Sequence, residues 1–117
     1  MKFALGEIRN MKDPLTSLLD KEVPIKTAWA LNRLVKVFDK ELGEIEEFRV
    51  SLIKKLGTED DEGNVQVPED KMQEFVTEFN ELLGQEIDTD FEPIKVDSFG
   101  DVNLSAREMM VLEKIFV

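Results

Sequence analysis

The sequence predicts a helix-dominated α+β domain, with one long amphipathic helix, two or three shorter helices and a few short strands. Three observations predict it. Apolar residues recur at helical spacing from Leu31 to Leu56. Stretches that suit strands are only a few residues long and fall between the helical runs. Hydrophobic residues make up 42% and charged residues 35%, the balance of a globular chain and not of a disordered one. At 117 residues the chain is long enough for one modest core, so residues 1–117 are read as a single domain.

The first element is a short strand within "FALGEI", residues 3–8. Asp13-Pro14 then opens a short helix, because proline is tolerated in a first helical turn. Pro24 opens the long helix, which runs to about Leu56. Its seam is Leu31, Val35, Phe38, Leu42, Ile45, Arg49, Leu52 and Leu56, stepping by four and three as a coiled coil does. Gly57 ends it as a C′ glycine. "TEDDEGNVQVPED" follows as an acidic loop with a Gly-Asn turn and a short strand at "VQV".

Pro68 opens a third helix to about Leu83, with Met72, Phe75, Val76, Phe79, Leu82 and Leu83 on its apolar face and Gly84 after it. It is expected to lie antiparallel on the long helix. Residues 86–103 read as irregular chain with a short strand at "PIKV". The last helix carries a capping box, Ser105 at N-cap and Glu108 at N3, and runs to the C-terminus.

Charge is divided along the chain. Residues 1–40 hold eight Lys and Arg against five Asp and Glu, whereas the remainder holds seven against 21. The total of −11 opposes binding to long nucleic acid, since the phosphate backbone repels it. No apolar run is long enough to span a membrane. The N-terminal apolar stretch is too short for a signal peptide and Glu7 interrupts it, so the protein is expected in the cytoplasm.

Histidine, cysteine and tyrosine are all missing. That removes the usual general base, thiolate chemistry and the preferred zinc ligands. The serines have no G-x-S-x-G or S-x-x-K context, and no glycine-rich phosphate loop is present. Residues Thr58–Glu69 place Asp60, Gly63 and Glu69 at EF-hand positions, but Thr58 stands where the first aspartate belongs. The expectation is a protein that is not an enzyme, with no catalytic residues, no metal and no cofactor.

The one conspicuous side chain is Trp29. At about 100° per residue, Leu31, Leu34, Val35 and Leu42 fall within about 60° of Phe38, whereas Trp29 falls about 180° away. Lys26, Arg33, Lys36 and Lys40 share that far side. Trp and Arg are over-represented at interface hot spots, so this stripe is the expected binding surface, for a partner protein or for a small aromatic anion such as a nucleotide. Further along the same side stand Glu44 and Glu47. An antiparallel copy sets Lys36 and Lys40 against them, with Gly43 allowing close approach. Together with the long seam, this predicts a homo-oligomer, a dimer by preference.

Three segments, "EVPIKTAWALNRL", "ELGEIEEFRVSLIKKLG" followed by "DDEGN", and "VNLSAREMMVLE", resemble a family of small phage-encoded proteins of unknown function, found in tailed phages and prophages. The resemblance implies a small phage product located in the host cytoplasm, and no reaction. It leaves two classes open. One is an accessory protein that acts on a host process, in anti-defence or host takeover, by binding a host protein or sequestering a nucleotide signal. The other is a structural or assembly component of the virion.

Overall fold

The computed structural model describes all residues, Met1–Val117. Four α-helices carry most of the chain, and two small two-stranded sheets complete it. The helix-dominated α+β class expected from the sequence is what is found. The molecule measures 54 × 28 × 23 Å, and its long axis is set by one helix. That helix, α2 (Ile25–Leu56), has 32 residues and so spans about 48 Å.

Helix α1 (Leu5–Leu19) is longer than the sequence suggested and starts eight residues earlier than Asp13. The strand expected over residues 3–8 shrinks to β1 (Lys2–Ala4). Pro14 lies inside α1 and not in its first turn. An interior proline costs about 3 kcal/mol, through a lost hydrogen bond and a clash with the preceding turn. Five side chains outweigh it: Leu5, Ile8, Met11, Leu15 and Leu18 step by three and four and are all buried. Each contributes about 1.5–3 kcal/mol of burial.

α1 lies antiparallel on α2, with Leu15 and Leu19 beside Val35, Phe38 and Leu42. Phe3 meets Phe38 edge to face, ring centroids 5.0 Å apart, and both are fully buried. Helix α3 (Glu69–Leu83) covers the other end of α2. Lys55 pairs with Glu78 at 3.6 Å, while Phe48 and Ser51 share a shallow groove with Leu82 and Gln85. The two helices are therefore antiparallel, as expected. Between them stands the hairpin of β2 (Thr58–Glu59) and β3 (Val65–Gln66). Gly57 is needed there for space: its backbone is extended, and a Cβ would press on the Ile53 carbonyl and on Val65. This corrects the C′ assignment, which needs a left-handed residue.

Strand β4 (Glu86–Asp88) has no counterpart in the sequence reading. It pairs antiparallel with β1, joining residues more than 80 positions apart. "PIKV" supplies only an isolated bridge, Ile94 to Phe116, and then a 3-10 turn, Val96–Phe99. That bridge also ends the last helix. α4 (Ala106–Leu112) gives way to a 3-10 turn, and Val117 donates its N–H to the Ile94 carbonyl at 3.0 Å. The capping box forms as expected, Ser105 Oγ accepting from the Glu108 N–H at 3.0 Å.

Glu7 ties three of these elements together. Its carboxylate accepts from the Ala4 N–H at 3.0 Å and from Lys114 at 3.2 Å. The Ala4 amide foremost, and then the Lys114 ammonium, hold the Glu7 carboxyl below its ordinary value despite partial burial. A carboxyl shifted down in the folded state adds stability above its unfolded pKa and loses it as pH falls through the folded one. Glu7→Gln is expected to cost about 0.5–1 kcal/mol at pH 7, because the group is partly exposed. Urea unfolding will show the gap to the native chain closing as pH falls below about 4.

Candidate functional site

The seam of α2 is covered within the chain. Leu31, Leu34 and Phe38 are at most 2% exposed, and Ile45, Leu52 and Leu56 are each 4% exposed. α1 is longer than the sequence reading made it and packs on this seam, so the length of the seam does not by itself call for a second copy.

On the opposite side of α2, Trp29 is 66% exposed, and Ile25, one turn earlier, is 87% exposed. Trp29 lines an open cavity of about 670 Å³. One wall is α2, with Trp29, Ala30, Arg33, Leu34 and Val37. The facing wall is the last residue of β4 and the chain after it, Asp88 to Pro93. This segment is anchored at both ends. Thr89 pairs with Met1 through its backbone, and beyond it the buried Thr27 hydroxyl of α2 donates to the Ser98 carbonyl at 2.6 Å. The second wall is thus fixed by contacts to residues distant in sequence.

Of the residues expected to bind, Trp29 and Arg33 line the cavity. Lys26, Lys36 and Lys40 are exposed on the same side of α2 but outside it. Glu44 and Glu47 are exposed further along, and no residue of this set takes part in an ion pair. Gly43 has nothing within 4 Å of where a Cβ would stand. Sequence reasoning missed Asp88, Asp90, Phe91 and Glu92. The available signal was an aromatic set among carboxylates in an unassigned stretch, "DTDFEP".

The charge of the cavity differs from that of the stripe. Three carboxyl-bearing residues, Asp88, Asp90 and Glu92, belong to the wall opposite Arg33. Asp88 is shared with the Met1 ammonium, 3.4 Å away. A phosphate entering here meets more negative charge than positive. A cationic or neutral group does not, and it gains contact with Trp29, Val37 and Phe91.

The protonation equilibria that the fold shifts have structural causes. Glu46 is held low by Arg49 beside it, and Glu108 by the Ser105 amide it caps. Both carboxyls move away from the neutral range in which a general acid works. In the acidic loop, Asp60 Oδ1 accepts from the amides of Glu62 and Asn64, both at 2.9 Å, and Gly63 takes a positive φ of 85°. Asp60 thus shapes a hairpin turn. No helix is long and apolar enough to cross a membrane.

No known protein family, curated protein or solved structure matches the chain.

Because Trp29 packs on no core element, its truncation has little to remove from the fold. Trp29→Ala is expected to change stability by no more than about 0.5 kcal/mol, far from the 3–5 kcal/mol of a core aromatic. Phe38→Ala supplies the core comparison in the same thermal melts.

Proposed function

We propose that this protein is a non-catalytic binding protein, a phage accessory product that acts on a host process by engaging a host protein at the Trp29 cavity. One observation carries the reading: the only tryptophan of the chain is two-thirds exposed and lines an open cavity of about 670 Å³. Leaving an indole in water forgoes about 2–3 kcal/mol of burial, which a partner recovers on binding. The carboxylates on the facing wall favour a protein partner over a nucleotide. Capture from a lysate of host bacteria, with mass spectrometry of proteins and small molecules, tests this. The expected outcome is a host protein that is retained by the native chain. Trp29→Ala or Val37→Lys, which removes or blocks one wall, should reduce its recovery about tenfold. A retained capsid or tail protein moves the assignment to the virion, and a retained nucleotide moves it to sequestration.

A second reading concerns the rest of the same side of α2. Lys36, Lys40, Glu44 and Glu47 are all exposed and unpaired, and they are arranged so that an antiparallel copy neutralises them. We infer a homodimer held by charge with little apolar contact. Such pairing is screened by salt. Light scattering should show the mass falling from dimer to monomer between about 0.02 and 0.5 M salt. A monomer at both salt concentrations ends this reading.

A further inference from the structure

We propose that the open edge of β4, with the flank of α2 beside it, docks an extended basic segment of a partner protein, which joins the sheet as a third strand. The proposal rests on the Trp29 cavity being a partner site and names the chemistry of that partner.

The register of the sheet sets which backbone groups are free. Thr89 donates to the Met1 carbonyl and Leu5 to the Gln85 carbonyl, both at 2.9 Å. In an antiparallel ladder the bonded pairs alternate, so Phe3 and Ile87 also face each other through their backbones. Lys2, Ala4, Glu86 and Asp88 must then turn their N–H and C=O groups outward. On the β1 side two of these groups are occupied by side chains. The Ala4 N–H donates to Glu7, and the Lys2 carbonyl accepts from Lys114. On the β4 side nothing equivalent exists, and the outward groups of Glu86 and Asp88 have no partner. One edge of the sheet is closed by side chains and the other is bare, the form that accepts an added strand.

The surroundings match a strand of particular composition. β4 runs along α2, for Gln85 shares a groove with Phe48 while Asp88 shares the main cavity with Val37. Val37 and Phe48 are both 37% exposed. Residues of an added strand that lie beside Ile87 point toward this flank and should be apolar. Those beside Glu86 and Asp88 point to the opposite face, where the Glu86 carboxylate stands unpaired while Asp88 is shared with the Met1 ammonium and lies across from Lys2, so the residue beside Glu86 should be basic. Asp90 and Glu92 extend the acidic line past the strand. A second copy is a poor occupant, because pairing β4 antiparallel with itself about Ile87 sets Glu86 against Asp88 of the other copy, and like charges directly opposite destabilise a sheet.

An acetylated, amidated heptapeptide of alternating lysine and valine is the probe, titrated into the native 15N-labelled chain. Hydrogen exchange at the Glu86 and Asp88 amides should slow at least about tenfold on binding, with that at Ile87 little changed. Methylating alternate backbone nitrogens of the peptide keeps its charge and side chains but removes its donors, and should weaken binding about tenfold. The glutamate–valine counterpart should bind at least about tenfold more weakly still, or not at all. Asp88→Pro removes an outward N–H and the carboxylate that pairs with the Met1 ammonium but no backbone bond to β1, so the chain should fold and bind the peptide about tenfold less well, and Asp88→Asn, which keeps the N–H, should bind it more tightly than the proline variant. If that variant does not fold, the methylated peptide decides the matter on the native chain. Binding that survives methylation, unchanged exchange at Glu86 and Asp88, or no binding at about millimolar peptide overturns the proposal. Partner capture that needs Trp29 but tolerates Asp88→Pro defeats the strand and leaves the cavity reading standing. Capture indifferent to both defeats both.

Discussion

The length of α2 is the constraint on which the rest of the structure depends. A 32-residue helix of about 48 Å carries an apolar seam along most of its length, and no helix elsewhere in the chain is long enough to cover it alone. α1 and α3 have 15 residues each, about 22 Å apiece, and together they nearly match it. The chain therefore turns back on α2 twice, once from each end. α1 lies along the first half, where Phe38 and Leu42 are, and α3 along the second, where Leu52 and Lys55 are. Burial of the seam is the dominant favourable term, since apolar area removed from water scales with helix length.

The arrangement leaves a strip of α2 that neither helix reaches. The chain leaving α3 continues along α2 as β4 and residues 88–93, but it stands off from the helix and forms a wall instead of a packed layer. The cavity is thus a by-product of how the seam is covered. What turns it into a candidate site is the choice of residues. Ile25, Trp29 and Val37 are apolar on the side that faces water, where Lys, Glu or Gln suits a helix equally well. The same economy appears at the sheet. Glu7 and Lys114 close the β1 edge and also fasten α1 to the end of the chain, while the β4 edge beside the cavity is left unprotected. An uncovered edge is an aggregation hazard that chains ordinarily blunt, and four carboxylates along and beyond it do so by charge.

The acidic balance of the chain takes on meaning at this point. In the sequence, the binding stripe was read from Trp29 and the cations of the basic first third, with Glu44 and Glu47 of the acidic remainder set aside for self-association. In the fold, residues of both halves meet across one cavity. Arg33 and Trp29 come from the basic part, Asp88, Asp90 and Glu92 from the acidic part. The preference for a cationic partner over an anionic one follows from that meeting and not from either half.

The sequence by itself determined the local elements whose signals are short-range. The bounds of α2 and α3, the Ser105–Glu108 capping box and the outward direction of Trp29 all follow from periodicity and capping within a few residues. Pro14 misled, because a local rule about proline was overridden by five buried side chains that only packing on α2 rewards. Tertiary structure alone decided the rest. β4 exists because Glu86–Asp88 meets Lys2–Ala4, and nothing in "EID" signals a partner more than 80 residues away. The second wall of the cavity is held by Met1 and Thr27, and the bare edge of β4 is bare only because side chains from α1 and the chain end closed the other one. Periodicity fixes which face of an element is apolar. Which distant backbone comes to lie against it, and which groups are left unpaired there, is set by the packing of the whole chain.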